Sequence, residues 1–342
     1  MIREIIQINS FSTFIIGIIL NTLLLVLVLN KSAPEMKVFS HILLQTAFTD
    51  LFMLIINLVT QAIFTFDGDA AIVVLNSPFN TNLIPKDILL AIWDNCLLFS
   101  IFSQAAQFIY RYLCLNRNSN ITSSQYFLSM FGIVLPLDLI LSFLLYLTGK
   151  PEKNDQLCCN NLALIEILER NGTNIEPILL AQKGNTLIYS FVWLLISILV
   201  LFAYLIMLVS ARAMSLHVRL KLKVDTDRFT EINQQLTLNI IAYLLLPLLT
   251  LIPIWITCIF TLANLFSQFS STWILQFLML IRLPIPWIAI FNPIVTILTL
   301  RHYRKAFISL IFNTSGSDSV VPLNTFTVGI QRNNTNNNTI TR

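Results

Sequence analysis

Long apolar runs alternate with short polar segments along this chain, and the alternation predicts its architecture. Seven of the runs approach or exceed the length of about 20 residues that a helix needs to cross a hydrocarbon core of roughly 30 Å. The stretch 232–281 has no charged residue and is too long for one crossing, so we divide it at the polar segment Asn264–Ser271. The predicted spans are about 10–30, 38–66, 87–114, 126–148, 185–210, 234–263 and 272–299.

Composition supports helices in lipid rather than a soluble domain. Of the 342 residues, 56% are hydrophobic and 11% are charged, whereas soluble domains carry roughly a quarter charged residues. The mean hydropathy is +0.76. We therefore expect an all-α membrane protein whose residues 1–312 form one seven-helix bundle in the lipid bilayer.

Basic residues indicate the orientation of this bundle. They concentrate in the first, third and fifth loops and in the C-terminal tail, which the positive-inside rule assigns to the cytoplasm. The N-terminus is then outside the cell and the C-terminus inside. The sequon at Asn171 lies in the outer fourth loop and is the predicted glycosylation site. The other sequons, which should face the cytosol, are at Asn30, Asn120, Asn313, Asn333 and Asn337.

Spans two, three, four and seven carry the charged residues Asp50, Asp94, Asp138 and Arg282 away from their ends. A charge within a membrane is costly and is by default a functional hypothesis. Asp50 is either a packing group that hydrogen-bonds Asn21 or Asn292, or part of a polar core that holds water or a cation and rearranges on activation. Asp94 and Arg282 fall in the outer half of the bundle and are the predicted ligand pocket. Either they neutralise each other directly or through a polar ligand, or one of them extends to the outer surface.

Prolines are concentrated in the last two spans. Pro247 and Pro253 interrupt span six, and Pro284, Pro286 and Pro293 interrupt span seven. Each removes a helical hydrogen bond, so these positions are either hinges or static kinks.

Two further segments follow span seven. At about 300–312, the basic residues Arg301, Arg304 and Lys305 alternate with apolar ones, a pattern typical of a short amphipathic helix on the inner membrane surface. The remainder, 313–342, is rich in Asn, Thr and Ser and is predicted to be a disordered cytoplasmic tail.

Arg111 closes span three, after some 23 largely apolar residues and immediately before a polar loop. Its guanidinium group is expected at the inner rim of the bundle. The residue is either an interfacial anchor or a group that acts in signalling.

These breaks occur in a familiar order. The sequence resembles rhodopsin-like receptors through Asn21, the pattern LxxxAxxDL that ends at Asp50–Leu51, Arg111–Tyr112, and Asn292–Pro293. In finer detail it is similar to nematode chemosensory receptors of the Str superfamily, and most similar to serpentine receptor class D. The segments that carry this likeness are SAPEMKVFSHILLQTAFTDLF, QFIYRYLCLNR and FNPIVTILTLRHYRKAF.

The resemblance implies a receptor that detects a small molecule in the outer half of the bundle and activates a heterotrimeric G protein. It also implies display on the plasma membrane of sensory neurons, at the cilium. In such receptors span six swings outward, here at Pro247 or Pro253, and opens a cavity for the G protein. The implied coupling residues are Arg111, Tyr112, Arg219, Lys221 and Lys223.

Some positions depart from the rhodopsin-like pattern. Tyr110 stands where an acid usually precedes the span-three arginine, which puts an ion pair with Arg111 in doubt. Thr296 stands where a tyrosine usually follows the Asn–Pro pair. Lys86 occupies the usual place of the outer cysteine, so a disulfide is only an open possibility, between Cys96 and either Cys158 or Cys159.

Other functional classes fit the chain less well. A retinal-binding pump needs a lysine in span seven, and none occurs between Thr272 and Leu300. An enzyme, a metal site and a nucleic-acid partner have no supporting motif, and no cofactor is expected. The alternative is a small-solute membrane transporter gated by Asp94 and Arg282, although the repeated halves typical of transporters are missing.

Overall fold

The computed structural model describes seven segments of the chain and a few residues between them. Most of predicted span six, the long fourth loop and the tail 313–342 lie outside these residues. The described residues are 2–31, 37–67, 70–79, 86–116, 122–148, 186–221 and 279–311, together with 242, 245, 252, 255, 256, 276 and 277.

Helices dominate the described part of the chain, which confirms the predicted fold class. Five continuous helical segments are long and apolar enough to cross a membrane by length and composition, and one of these, Ser124–Leu147, joins two of the helices named below. The helices are α1 (Ile2–Lys31), α2 (Lys37–Thr60), α3 (Lys86–Asn116), α4 (Ser123–Ser129), α5 (Leu135–Thr148), α6 (Thr186–Lys221), α7 (Ile288–Thr299) and α8 (Arg301–Ile311).

Helix α1 shows how the bundle is organised for lipid. Its polar residues Ser10, Thr13 and Asn21 are buried against neighbouring helices, whereas Ile15 and Ile19 are exposed at the protein surface. This is the reverse of a water-soluble amphipathic helix. Polar groups find hydrogen-bond partners only inside the bundle, and apolar side chains lose nothing by facing lipid tails.

A β-hairpin follows α2 and corrects the predicted extent of span two. The helix ends at Thr60 rather than at about residue 66. Gln61 ends it with a positive φ of 41°, a conformation that an L-residue rarely adopts. Strand β1 (Ala62–Asp67) then pairs antiparallel with β2 (Ala70–Leu75). The prediction failed because the strand residues are as apolar as a membrane helix, and length alone does not separate the two.

Predicted span four is a helix with a wider turn in its middle. Helix α4 passes into a π-helical segment, Met130–Val134, which continues into α5. Pro136 has no N–H, and its ring crowds the carbonyl group four residues earlier, which disfavours a regular α-turn at this position. The π segment accommodates the proline without ending the span.

Helix α6 extends beyond predicted span five. It continues to Lys221, so Arg212, Arg219 and Lys221 belong to a helix rather than to the loop in which we expected them. The intervening residues Ala211, Ala213 and Met214 are strong helix formers. On its bundle side, α6 packs with α3 and α5 in the largest apolar cluster, which Trp255 of predicted span six also contacts.

Span seven begins with a tighter turn and ends at a sharp corner. Ile285 and Trp287 each donate to a carbonyl group three residues earlier, so Ile285–Trp287 is a 3₁₀ turn. Pro284 precedes this turn and Pro286 lies within it. Helix α7 follows. At extended Leu300 the chain bends by 98° into α8, whose Tyr303 is fully buried against α1.

Candidate functional site

The bundle has two ends that carry different polar groups. We call the end with β1, β2 and the start of α3 the hairpin end, and the end with Arg111 the Arg111 end. Between them lies a small buried polar core.

Asp50 and Asn292 form the centre of this polar core. Asn292 Nδ2 of α7 donates a hydrogen bond of 2.8 Å to Asp50 Oδ2 of α2, and both residues are buried. Thr296, which replaces the usual tyrosine, donates to the Asn292 carbonyl group at 2.9 Å. Of the two partners considered for Asp50 from the sequence, the structure places Asn292 against it.

Asn21 supplies a hydrogen bond that the helix loses at Pro293. Pro293 lies inside α7 and has no N–H to donate to the carbonyl group of Ala289, four residues earlier. Asn21 Nδ2 of α1 donates to that carbonyl oxygen at 2.8 Å and to the Gly17 carbonyl oxygen at 2.9 Å. The side chain from α1 therefore replaces the hydrogen bond that the proline removes, and it joins the two helices.

At the Arg111 end, Arg111 is only 4% exposed. It lies near the end of α3, which closes at Asn116. Tyr110, the residue in place of the usual acid, packs on Tyr126 of α4 with ring centroids 4.5 Å apart. The Tyr126 hydroxyl group donates a short hydrogen bond to Gln45 Oε1 of α2.

At the hairpin end, a cavity of about 40 Å³ lies between α1, the α2–β1 junction, α3 and the start of span seven. Arg282 and Trp93 are among its lining residues. Asp94 is half-buried on α3, and the charge of Arg282 acts on its carboxyl group. The structure thus brings the two charged residues of the predicted pocket into one region of the bundle.

Comparison with known proteins identifies the family. A family model described as "Serpentine type 7TM GPCR chemoreceptor Str" matches residues 6–308, which is most of the chain. The chain belongs to this family of serpentine chemoreceptors. The family has seven transmembrane spans, so the predicted seven-helix architecture of the receptor is confirmed. No curated protein matches the receptor.

The family is a class of chemoreceptors and not of enzymes. Within the described part of the receptor, no three His, Cys, Asp or Glu side chains cluster as metal ligands would. Cys96 is a buried free thiol that packs with Met53 and Ile285. Its predicted partners, Cys158 and Cys159, lie outside the described residues.

Some residues of the predicted hinges and of the predicted coupling site also lie outside the described part. Pro247, Pro253 and Lys223 are among them. For Arg219 and Lys221 the structure describes the helical backbone but not the side chains. Tyr112, the residue after Arg111, is half-buried and packs against the large apolar cluster of α3, α5 and α6.

Two hydrogen-bonded groups of polar side chains were not predicted from the sequence. At the α3–α5 contact, Asn95 Nδ2 donates to Asp138 Oδ2 at 2.6 Å and to Ser142 Oγ at 3.4 Å. The four-residue spacing of Asp138 and Ser142, which puts both on one helix face, was an available signal. The second grouping, Arg3, Asn76 and Gln61, joins three separate segments, and no local spacing in the sequence indicates it.

Proposed function

We propose that the receptor binds a small molecule at the hairpin end and activates a heterotrimeric G protein at the Arg111 end. In this proposal the hairpin end faces the outside of the plasma membrane and the Arg111 end faces the cytoplasm. Sensory cilia are the proposed site of display. Membership of a chemoreceptor family supports a signal that passes from an outer ligand site to the cytoplasm. The burial of Arg111 is the observation that carries its proposed role in coupling.

The burial of Arg111 favours coupling over anchoring. An interfacial anchor extends its long side chain and keeps the charged group in water. Arg111 instead lies inside the bundle, 4% exposed, where a guanidinium group is costly to keep. A residue kept under that cost is expected to act when the helices of the bundle move and uncover it.

Helix α3 connects the two proposed sites directly. Asp94 and Arg111 are 17 residues apart on this single helix, a distance of about 25 Å at ~1.5 Å per residue. A ligand that shifts or rotates α3 at the hairpin end therefore also displaces Arg111. We propose that Asp94 and Arg282 neutralise each other at the hairpin end of α3. We also propose that the Asp50–Asn292 contact rearranges when the receptor is activated.

The test is nucleotide exchange by a reconstituted G protein. A reporter cell exposed to a panel of volatile and water-soluble small molecules first supplies an agonist. Arg111→Ala should retain surface display and agonist binding but lose agonist-dependent exchange, by at least about tenfold. Arg212→Ala is the matched control, because Arg212 is an exposed arginine of α6.

The two variants separate the interpretations. If Arg111→Ala is displayed normally and supports full exchange, Arg111 is an anchor and the coupling proposal is wrong. Equal losses in Arg111→Ala and Arg212→Ala would also contradict it, because the effect would then follow from removing any arginine charge.

A further inference from the structure

Asp138 is a buried acid that the proposed function does not use. It lies on α5, has no exposed surface and faces α3. Its Oδ2 atom lies 2.6 Å from the amide group of Asn95, and Ser142 Oγ lies 3.4 Å from the same amide atom. Within the described part of the receptor, Asp138 Oδ1 has no hydrogen-bond partner. One oxygen of this buried carboxyl group is therefore paired and the other is not.

An ionised carboxylate would be poorly supported at this position. Its two oxygens can accept about four hydrogen bonds, and a single contact, that of Asn95, reaches Asp138 among the described residues. Burial of a charge without compensation is costly in a membrane protein, and such a group usually becomes neutral instead. For a carboxylate, becoming neutral means taking up a proton.

The charged and titratable neighbours of Asp138 also disfavour its ionisation. The acid Asp94 on α3 interacts electrostatically with it, and the charge of Arg282 acts on Asp94. The Cys96 thiol on α3 is a further titratable neighbour. From α6, Tyr204 packs against the apolar cluster that α6 shares with α5. A second acid raises the cost of a negative charge on Asp138, and a neutral thiol or phenol does not offset it.

The short contact with Asn95 fits a hydroxyl donor. O–H···O hydrogen bonds are about 2.5–3.0 Å long, whereas N–H···O bonds are about 2.7–3.2 Å long. An amide has nearly the same shape when its oxygen and nitrogen exchange places, so the contacts decide which atom faces a neighbour. The distance of 2.6 Å is typical of an Asp138 O–H group that donates to the oxygen of Asn95. The Ser142 hydroxyl group can donate to the same oxygen.

We propose that Asp138 is a proton-binding site and that its neutral carboxyl group ties α5 to α3. Asp138 Oδ2–H donates to the Asn95 oxygen, and Oδ1 is then the carbonyl oxygen of a neutral acid, which costs less to leave unpaired than an ionised oxygen. When the proton leaves to water, the carboxylate can no longer donate to Asn95 and it repels Asp94. The contact between the two helices then weakens.

Infrared spectroscopy of the full-length receptor in lipid nanodiscs at neutral pH tests the proton directly. A protonated carboxyl group has a C=O stretching band that a carboxylate lacks, and this band shifts in D₂O. Asp138→Asn should remove such a band. Glu4→Gln is the matched control, because it removes an exposed acid and should affect only carboxylate bands. If Asp138→Asn removes carboxylate bands instead, Asp138 is ionised and the proposal is wrong.

Two variants test whether the neutral group ties the helices together. Asp138→Asn replaces the O–H donor with an N–H donor, so the hydrogen bond to Asn95 is retained and the unfolding temperature should stay close to that of the unmodified receptor. Asp138→Leu has a similar volume but no donor, and it should unfold at a lower temperature because the Asn95 oxygen loses its partner. An unchanged unfolding temperature in Asp138→Leu would contradict the tie.

The proton also predicts a dependence of stability on pH. An aspartate exposed in the unfolded chain loses its proton at about pH 3.9. Above that pH the folded receptor holds one more proton at Asp138 than the unfolded chain does, so rising pH favours unfolding. While Asp138 keeps its proton, each pH unit should raise the unfolding equilibrium constant of the unmodified receptor up to about tenfold more than that of Asp138→Asn. Parallel pH curves for the two proteins, measured by denaturant unfolding in detergent, would overturn the proposal.

The bound proton has a consequence for signalling that rests on the proposed function. Asn95 and Arg111 lie on the same helix, α3, so loss of the proton loosens the helix whose motion is proposed to uncover Arg111. Nucleotide exchange without agonist should therefore rise with pH more steeply in the unmodified receptor than in Asp138→Asn. Equal pH dependence in the two proteins would show that the proton does not regulate the receptor.

The infrared and unfolding measurements require no G protein, so the proton site and the proposed function can fail separately. If the band of Asp138 is present but Arg111→Ala retains full exchange, the coupling proposal is wrong and the proton site stands. If Asp138 is ionised but exchange depends on Arg111, the proton site is wrong and the receptor function stands.

Discussion

Single polar residues in this bundle compensate for specific defects in the backbone. The clearest case is Asn21, whose amide group reaches across to the Ala289 carbonyl oxygen that Pro293 leaves without a helical donor. In a hydrocarbon environment such a carbonyl group has no water to bind. The asparagine of α1 and the proline of α7 therefore depend on each other physically, although 272 positions separate them (293 minus 21).

This dependence predicts non-additive stabilities. Asn21→Ala should lower the free energy of unfolding by about 1–2 kcal/mol, because the Ala289 carbonyl group loses its partner. With Pro293→Ala already present, the backbone N–H is restored and the same change should have less effect. Thermal unfolding of the four proteins in detergent measures the coupling. Asn30→Ala, at an exposed residue of the same helix, is the control, and additive effects would show that the two residues act separately.

At the scale of elements, α8 packs on the bundle through the buried aromatic ring of Tyr303, with Ala306 and Phe307 beside it. Tyr303 has no exposed surface and packs with Leu24 and Leu27 of α1. Its neighbours Arg304 and Lys305 are exposed, as are Ile308 and Leu310 on the same short helix. The sequence pattern therefore predicts the helix, and the packing of Tyr303 and its neighbours on α1 holds it at its angle to α7.

Removing that contact should loosen α8 without unfolding the receptor. In Tyr303→Ala we expect the amide protons of Arg301–Ile311 to exchange at least about tenfold faster, because the lost burial opens this helix locally. Tyr303→Phe keeps the ring and should retain protection. Hydrogen exchange followed by mass spectrometry distinguishes the two variants. Unchanged exchange in Tyr303→Ala would mean that α8 does not depend on this residue.

At the scale of the whole molecule, orientation in the membrane decides which of the two proposed sites faces the outside. The distribution of Lys and Arg predicts that the fourth loop, with Asn171, is outside. In that case the receptor carries a glycan at Asn171, and glycosidase digestion produces a mass shift that Asn171→Gln abolishes. Asn120→Gln should leave the shift unchanged. A glycan at Asn120 would instead place the Arg111 end outside and reverse both proposed sites.

Local composition by itself determines two features of this chain. It forms helices in a membrane, and the amphipathic helix α8 follows the last of them. In lipid every backbone N–H and C=O group must be paired within its own segment, so a long apolar run has little choice but a helix. The same reasoning fails at residues 62–66, because a hairpin strand also pairs its backbone groups and this stretch is equally apolar. It also misses the π segment before Pro136, which depends on how one proline is accommodated.

Tertiary structure alone decides which polar side chains meet. Asp50, Asn21 and Asn292 stand out in the sequence, but only the packing of α1, α2 and α7 assigns Asn292 to Asp50 and Asn21 to the backbone of α7. Sequence position gives the depth of Arg111 along α3, and only the tertiary structure shows that the residue is buried there. The orientation of the Gln61 amide depends on Arg3 through Asn76. Such contacts follow from the rotation and spacing of whole helices, and these are set by all their side chains together rather than by any one segment.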